Sequence, residues 1–174
     1  SPDPITVEVI RCFLETVADE MSLTMKRTAV TPIFSESSDY SCAVMDDRSR
    51  LIAQALRTAS LPVHMGAMKF SVESVLADFA GDIHDGDVFL HNDPYLGASH
   101  TPDLCIAIPI FHEGRFCAWA CANGHVADVG GMSPGLMVHP VDVFAEGHHY
   151  TALRIYSQGQ RNDELWNHIW RNTR

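Results

Sequence analysis

The sequence predicts an α+β fold, a largely antiparallel sheet with flanking helices built around a central hairpin over residues 104–122. Three observations lead there. Two nearly unbroken apolar runs, residues 104–111 and 116–122, flank the tight-turn signal His112-Glu113-Gly114-Arg115. Apolar residues recur at helical spacing over 4–29 and again over 65–79. Short strand-like runs punctuated by polar turns fill much of the rest, and no internal repeat is present.

The elements follow in order. Ile5, Val9, Ile10, Phe13, Leu14, Val17 and Met21 share one face of the first helix, which Asp3-Pro4 suits as a start and Thr31-Pro32 ends. Residues 40–45 and 51–55 read as strands joined by the polar turn Asp46-Asp47-Arg48-Ser49-Arg50. The helix over 65–79 places Met68, Val72, Val75, Leu76 and Phe79 on one face. Asp85-Gly86-Asp87 turns into a short strand, 88–90, followed by a loop over 91–102, the hairpin, and a glycine-rich loop over 124–135. A late strand at 151–156 and a helix at 163–171 complete the chain. That helix runs straight into Arg174, so residues 1–174 read as a single domain or as an excised piece. An apolar surface is then expected where a remainder or a partner docks.

The hairpin has a chemical consequence. If Glu113-Gly114 is a two-residue loop, His112 faces Arg115 and His125 faces Pro102; a bulge at Gly114 slips the register so that His125 faces Asp103. Either way His125 lands within a step or two of His100 and Asp103. Opposed side chains have Cβ atoms about 5 Å apart, close enough to share one ion. Pro109 suggests an edge or a bulge in the first strand. Two imidazoles and a carboxylate suit zinc or manganese, and three protein ligands leave room for water or substrate. The competing reading is that these residues cap loop turns by hydrogen bonding.

Bulk properties exclude several classes. With 174 residues, 46% of them hydrophobic, the chain can bury a core. Its net charge of −10 argues against a nucleic-acid binder that neutralises phosphates. No run of 18 apolar residues suggests a membrane span, and Ser1-Pro2-Asp3-Pro4 has no signal-peptide pattern. Five cysteines, Cys12, Cys42, Cys105, Cys117 and Cys121, form no C-x-x-C pair and sit among apolar neighbours, which reads as reduced core residues of a cytoplasmic protein. No Walker-type loop occurs.

The ordered motifs resemble the hydantoinase B family. They begin at Asp3-Pro4-Ile5-Thr6-Val7-Glu8-Val9-Ile10 and continue through Lys26-Arg27-Thr28-Ala29, Ser35-Glu36-Ser37-Ser38-Asp39-Tyr40-Ser41 and Pro62-Val63-His64-Met65-Gly66. Asn92-Asp93-Pro94-Tyr95-Leu96-Gly97, Ser99-His100-Thr101-Pro102-Asp103 and His125-Val126-Ala127-Asp128-Val129-Gly130-Gly131 follow. This is the large-subunit family of N-methylhydantoinases, 5-oxoprolinases, caprolactamase and the alpha-type subunits of acetone and acetophenone carboxylases. The resemblance implies an N-terminal fragment of a several-fold longer subunit. It also implies a divalent ion on His100, Asp103 and His125. A hydantoinase A-type ATP-using subunit, or a fused domain, would be the partner in a hetero-oligomer, with ATP bound there and not here. Many hydrolase-like members carry His-His before Ala-Asp-x-Gly-Gly; here the second position is Val126.

Four further carboxylates are candidates for chemistry. Asp93 and Asp128 flank the site and could orient a ligand histidine or act as a general base; the alternative is an Asx turn ahead of Pro94 or Gly130. Glu36 and Asp39 could contact substrate or sit in a solvated loop. His64 reads as a packed histidine with one hydrogen bond, and His91 as either a ligand or a packed residue. His112, His139, His148, His149 and His168 read as exposed or capping. Gly97, Gly130 and Gly131 should permit close backbone approach or positive φ.

The first functional expectation is a metal-containing fragment of an ATP-dependent cyclic-amide hydrolase of the hydantoinase/5-oxoprolinase type, acting on a lactam or hydantoin ring that the partner activates. The second is an alpha-type subunit of a ketone carboxylase, and the third a scaffold or assembly domain without its own chemistry.

Overall fold

The structure, a computed structural model, describes residues 3–58, 60–133 and 139–174. Four α-helices are described: α1 (Pro4–Thr28), α2 (Pro32–Ser35), α3 (Pro62–Asp78) and α4 (Asp163–Arg171). The strands are β1 (Tyr40–Asp46), β2 (Leu51–Gln54), β3 (Val88–His91), β4 (Asp103–His112), β5 (Arg115–His125), β6 (Leu153–Ser157) and β7 (Gln160–Arg161). They form one sheet in the order β2-β1-β5-β4-β3-β6-β7, and every ladder among the described residues is antiparallel. The expected α+β class and the central β4–β5 hairpin are therefore present. The glycine-rich loop is described as far as Ser133; Pro134 and Gly135 lie outside the described residues. Among the described residues no helix is long and apolar enough to cross a membrane.

The hairpin turn corrects one expectation. Glu113 and Gly114 both have positive φ, 49° and 74°, and His112 faces Arg115. Such a turn matches the twist of the flanking strands and needs no bulge at Gly114. The register slips farther along, between Ile110 and Phe111, where Ile110 pairs with Ala118 and Phe111 with Phe116, leaving Cys117 as the extra residue. His125 consequently faces Asp103. Pro109 lies beyond the β4 residues paired with β3, Cys105 to Ala107, so its missing N–H falls where the ladder on that side has ended.

Strand periodicity sorts the two sheet faces. On one face Met45, Trp119, Ala43, Cys121, Ala107 and Phe89 pack under Met68, Val72 and Val75 of α3. The same face becomes polar toward the loops, first at Ser41, Asn123 and His91, and then at the opposed pair Asp103 and His125. The helix thus lies over an apolar floor, and its N-terminal turn reaches the polar end. On the other face Leu90, Leu104, Ile106 and Ile155 meet Leu165, Trp166 and Ile169 of α4.

The first helix departs from its sequence reading. Its C-terminal half packs on β1 and β2, burying Ala18 and Ser22. Its N-terminal half extends past the sheet, leaving Ile5 74% and Phe13 65% exposed, with Val9 and Ile10 alongside. The expected uncovered apolar surface is found there.

All five cysteines are free, but not all are core residues. Cys12 is exposed because it lies on the projecting half of α1, and Cys117 is half-buried at the bulge. Burial pushes the Cys42 and Cys105 thiols up to about 12, and the Cys121 thiol rises for the same reason. A thiol with a raised pKa stays neutral as pH climbs through 7 to 9; at pH 8 only about one part in 10⁴ of such a thiol is the reactive thiolate. Alkylation of the native protein at pH 8 should therefore mark Cys12 first and Cys117 more slowly, with the other three reacting only after denaturation. Mass spectrometry counts the labels, and rapid native labelling at Cys42, Cys105 or Cys121 would contradict this packing.

Candidate metal centre

Asp103 and His125 occupy the paired ends of β4 and β5, and His100 lies in the turn just before β4, where the Asp103 N–H donates to the His100 carbonyl at 3.1 Å. The three side chains converge. His100 Nε2 is 2.8 Å from Asp103 Oδ1, and His125 Nδ1 is 3.1 Å from both Asp103 Oδ1 and His100 Nε2. Two nitrogens and one carboxylate oxygen thus face one point. Neutral imidazole and carboxylate are suitable ligands for zinc or manganese, so the donor set fits a divalent cation with coordination positions left open.

The site lies in an open cleft of about 470 Å³ lined by Asp39, Val63, His64, Ser99, His100, Asp103 and His125. Asp103 is only 3% exposed. Burial works to raise its pKa, but hydrogen bonds to His100, His125, His64 and Ser99 outweigh that and hold the carboxyl well below the usual range. The hydrogen bond to Asp103 raises His100, against the opposing effect of burial; the charges of Glu146 and Asp39 add to the rise.

Of the four carboxylates proposed for chemistry, only Asp39 lines this cleft. The ladder continues one residue past β1, with the His125 N–H donating to the Asp39 carbonyl at 3.0 Å, which sets Asp39 beside the trio. Glu36 is exposed at the end of α2. Asp93 caps a short 3-10 turn: Oδ1 accepts from the Tyr95 N–H at 2.9 Å and Oδ2 from Thr151 Oγ1 at 2.7 Å. Asp128 accepts from the Gly130 N–H at 3.1 Å and from the Arg174 backbone N–H. The carboxylates of Asp93 and Asp128 therefore hold loops in place and are not among the cleft's lining residues.

Three residues missed as site residues belong to it or support it. His64, read from sequence as a packed histidine with one bond, is indeed buried, but its Nε2 is 3.3 Å from Asp103 Oδ2 and 3.7 Å from Asp39 Oδ1. The helix begins at Pro62, three residues earlier than its periodicity suggests, and this brings His64 into the first turn. Glu146 accepts from the Thr101 N–H at 3.4 Å. A Cβ at Gly131 would overlap the backbone of Ala145 and Glu146, so the glycine lets that segment approach. Asn92, fully buried, ties the His100 loop to residues 148–150 through its side-chain amide. His91 is buried, with its Nδ1 accepting from the Ala152 N–H at 3.3 Å; it serves packing and is not part of the trio.

Comparison with known proteins gives the family and the fold. The family model described as hydantoinase B/oxoprolinase matches residues 3–174. The beta subunit of caprolactamase from Pseudomonas jessenii is 35% identical over 173 residues, which cover 99% of this chain and 29% of that protein. The B-type subunit of a putative D-/L-hydantoinase from Pseudomonas sp. (strain NS671) is 34% identical over 177 residues, covering 99% and 30%. The chain thus spans less than a third of the length of these relatives. The crystal structure of the ATP-dependent caprolactamase from Pseudomonas jessenii matches with a TM-score of 0.85 at 32% identity, over 99% of this chain and 29% of that one. A nucleotide-free acetone carboxylase matches with a TM-score of 0.89 at 22% identity, over 99% and 23%, a likeness of fold.

Proposed function

Because the chain belongs to the hydantoinase B/oxoprolinase family, we propose that it carries the ion-binding part of an ATP-dependent cyclic-amide hydrolase that opens a lactam or hydantoin ring. The observation that carries this reading is the convergence of His100 Nε2, Asp103 Oδ1 and His125 Nδ1 within 3.1 Å of one another. His100, Asp103 and His125 would hold a zinc or manganese ion. Such an ion supplies a Lewis acid and lowers the pKa of bound water toward neutrality. Asp39, which lines the same cleft, would accept a proton from water or orient the ring. Ser99 hydrogen-bonds to Oδ2 of the Asp103 carboxylate and His64 Nε2 lies 3.3 Å from the same oxygen, so both flank that group.

ATP is used on a partner, a hydantoinase A-type subunit or fused domain, which activates the amide oxygen before the ring C–N bond is broken. The caprolactamase relative is named as a beta subunit, which supports a hetero-oligomer of this kind, and the free cysteines suit a cytoplasmic one. The test is phosphate release by the native assembly over a panel of lactams and hydantoins, together with elemental analysis. Ring-dependent release with stoichiometric zinc or manganese is expected. A metal-free assembly with no ring-dependent release would sink the reading. A second reading, a ketone carboxylase subunit, is kept by Val126, where many hydrolase-like members carry a histidine. Phosphate release that requires both a ketone and bicarbonate would select it.

A further inference from the structure

We propose that His64 is a positioning residue for the ion site: it holds the Asp103 carboxylate so that Oδ1 is offered to the cation while Oδ2 is withheld. This rests on the ion-binding reading above and concerns a residue outside the convergent set.

The two oxygens of Asp103 have different surroundings. Oδ1 faces His100 Nε2 and His125 Nδ1, at 2.8 and 3.1 Å. Oδ2 faces the Ser99 hydroxyl and, at 3.3 Å, His64 Nε2. Only the first oxygen points to where the imidazole nitrogens meet. The direction of the His64 bond follows from its neighbours. Nε2 sees only acceptors, Asp103 Oδ2 at 3.3 Å and Asp39 Oδ1 at 3.7 Å, so Nε2 is the nitrogen that carries the proton there. At the other edge of the ring, Nδ1 lies 3.3 Å from Ser41 Oγ, and that oxygen already accepts the Leu61 N–H at 2.7 Å. The Ser41 hydroxyl proton is then free to serve Nδ1. A chain of donors runs from the helix start through Ser41 and His64 to the carboxylate.

The ring is held by burial and by its place in the fold. His64 is 1% exposed and sits in the first turn of α3, whose first residue is Pro62. Ser41 comes from β1, one row deeper on the same sheet face as Asp103 and His125. The start of α3 and the Ser99 loop thus meet at one carboxylate oxygen, with β1 backing the His64 ring through Ser41. With Oδ2 bonded to the Ser99 hydroxyl and flanked by the protonated His64 Nε2, Asp103 would bind a cation through a single oxygen. Partners of this kind are worth about 10- to 100-fold in metal affinity.

The experiment uses the native assembly and measures chelator competition for manganese and zinc, plus the absorption spectrum of the cobalt(II)-substituted protein. His64→Ala should weaken affinity by about 10- to 100-fold and change the cobalt spectrum, because Asp103 is released to rotate. His64→Gln, whose amide N–H can reach the position of Nε2, should recover most of both; His64→Asn, one methylene shorter, should not. Unchanged affinity and spectrum in His64→Ala would overturn the proposal, as would equal affinities of the Gln and Asn variants, a comparison that decides the matter if the Ala variant fails to fold. Wild-type protein that binds neither metal would overturn the ion-binding reading itself; wild-type binding with indifferent His64 variants would overturn this inference alone.

Discussion

Replacing His100 or His125 by Ala in the native assembly is expected to abolish metal retention and turnover together. Each histidine contributes one neutral donor to a set of three, and the two donors left behind do not enclose an ion. The loss should exceed the about 10- to 100-fold typical of a partner that only orients a ligand. Asp103→Asn is the more informative change. It keeps the shape of the side chain and removes the one anion of the set, so the cleft should stay intact while affinity collapses. It also turns an acceptor into an N–H donor on one side, so the hydrogen bonds with His100, His125, His64 and Ser99 cannot all persist. Elemental analysis after dialysis against chelator, alongside phosphate release, reads both effects. Full metal content in His125→Ala would remove the trio from consideration.

Asn92→Ala should cost stability on the scale of a large core truncation, although Asn92 hydrogen-bonds to none of His100, Asp103 and His125. Its Nδ2 donates to the Thr101 carbonyl at 2.6 Å and to the His148 carbonyl at 3.0 Å, and its Oδ1 accepts the Tyr150 N–H at 2.5 Å. Truncation leaves three backbone groups without partners, at about 1–3 kcal/mol for each that stays buried. A loss of about 3 kcal/mol or more is expected, and for a domain of this size that lowers Tm by about 6–12 °C. Thr101 lies between His100 and Asp103 in sequence, so the loop that carries His100 should loosen as well. Asn92→Asp should be nearly as harmful, because a carboxylate oxygen would then face two carbonyl oxygens. Calorimetry settles the point; a Tm within about 2 °C of wild type for Asn92→Ala would show that water replaces the amide without cost.

What could be read from the sequence was what depends on local period. The trio was legible because His100 and Asp103 lie at one end of an apolar run, His125 lies at the end of the next, and a recognisable turn joins them. Only the site of the register slip was misplaced, since an extra residue can be absorbed anywhere along a ladder and Cys117 carries no local mark of it. His64 was not legible as a neighbour of Asp103: 39 positions separate them, and a histidine after Pro62-Val63 reads as an ordinary helix start. Asp39 was half legible, as a carboxylate before a strand, but its approach to His125 depends on the β1–β5 pairing. The apolar face of α1 misled for the opposite reason: its period is helical throughout, yet periodicity cannot say where the sheet beneath it ends.

The β4–β5 hairpin also bears on the order in which this molecule assembles. Its two ends are closed differently, one by a two-residue turn and the other by the side chains of His100, Asp103 and His125. Contacts so close along the chain can be made quickly, whereas the pairings of β5 with β1 and of β3 with β6 must first bring distant segments together. The three convergent side chains thus belong to the most local pairing of the sheet, whereas His64 meets the Asp103 carboxylate only when α3 packs on the finished floor. The convergent trio and the hairpin that closes it fall within the same 26 residues, from His100 to His125, so a change that slips the register of that hairpin should also pull the three side chains apart.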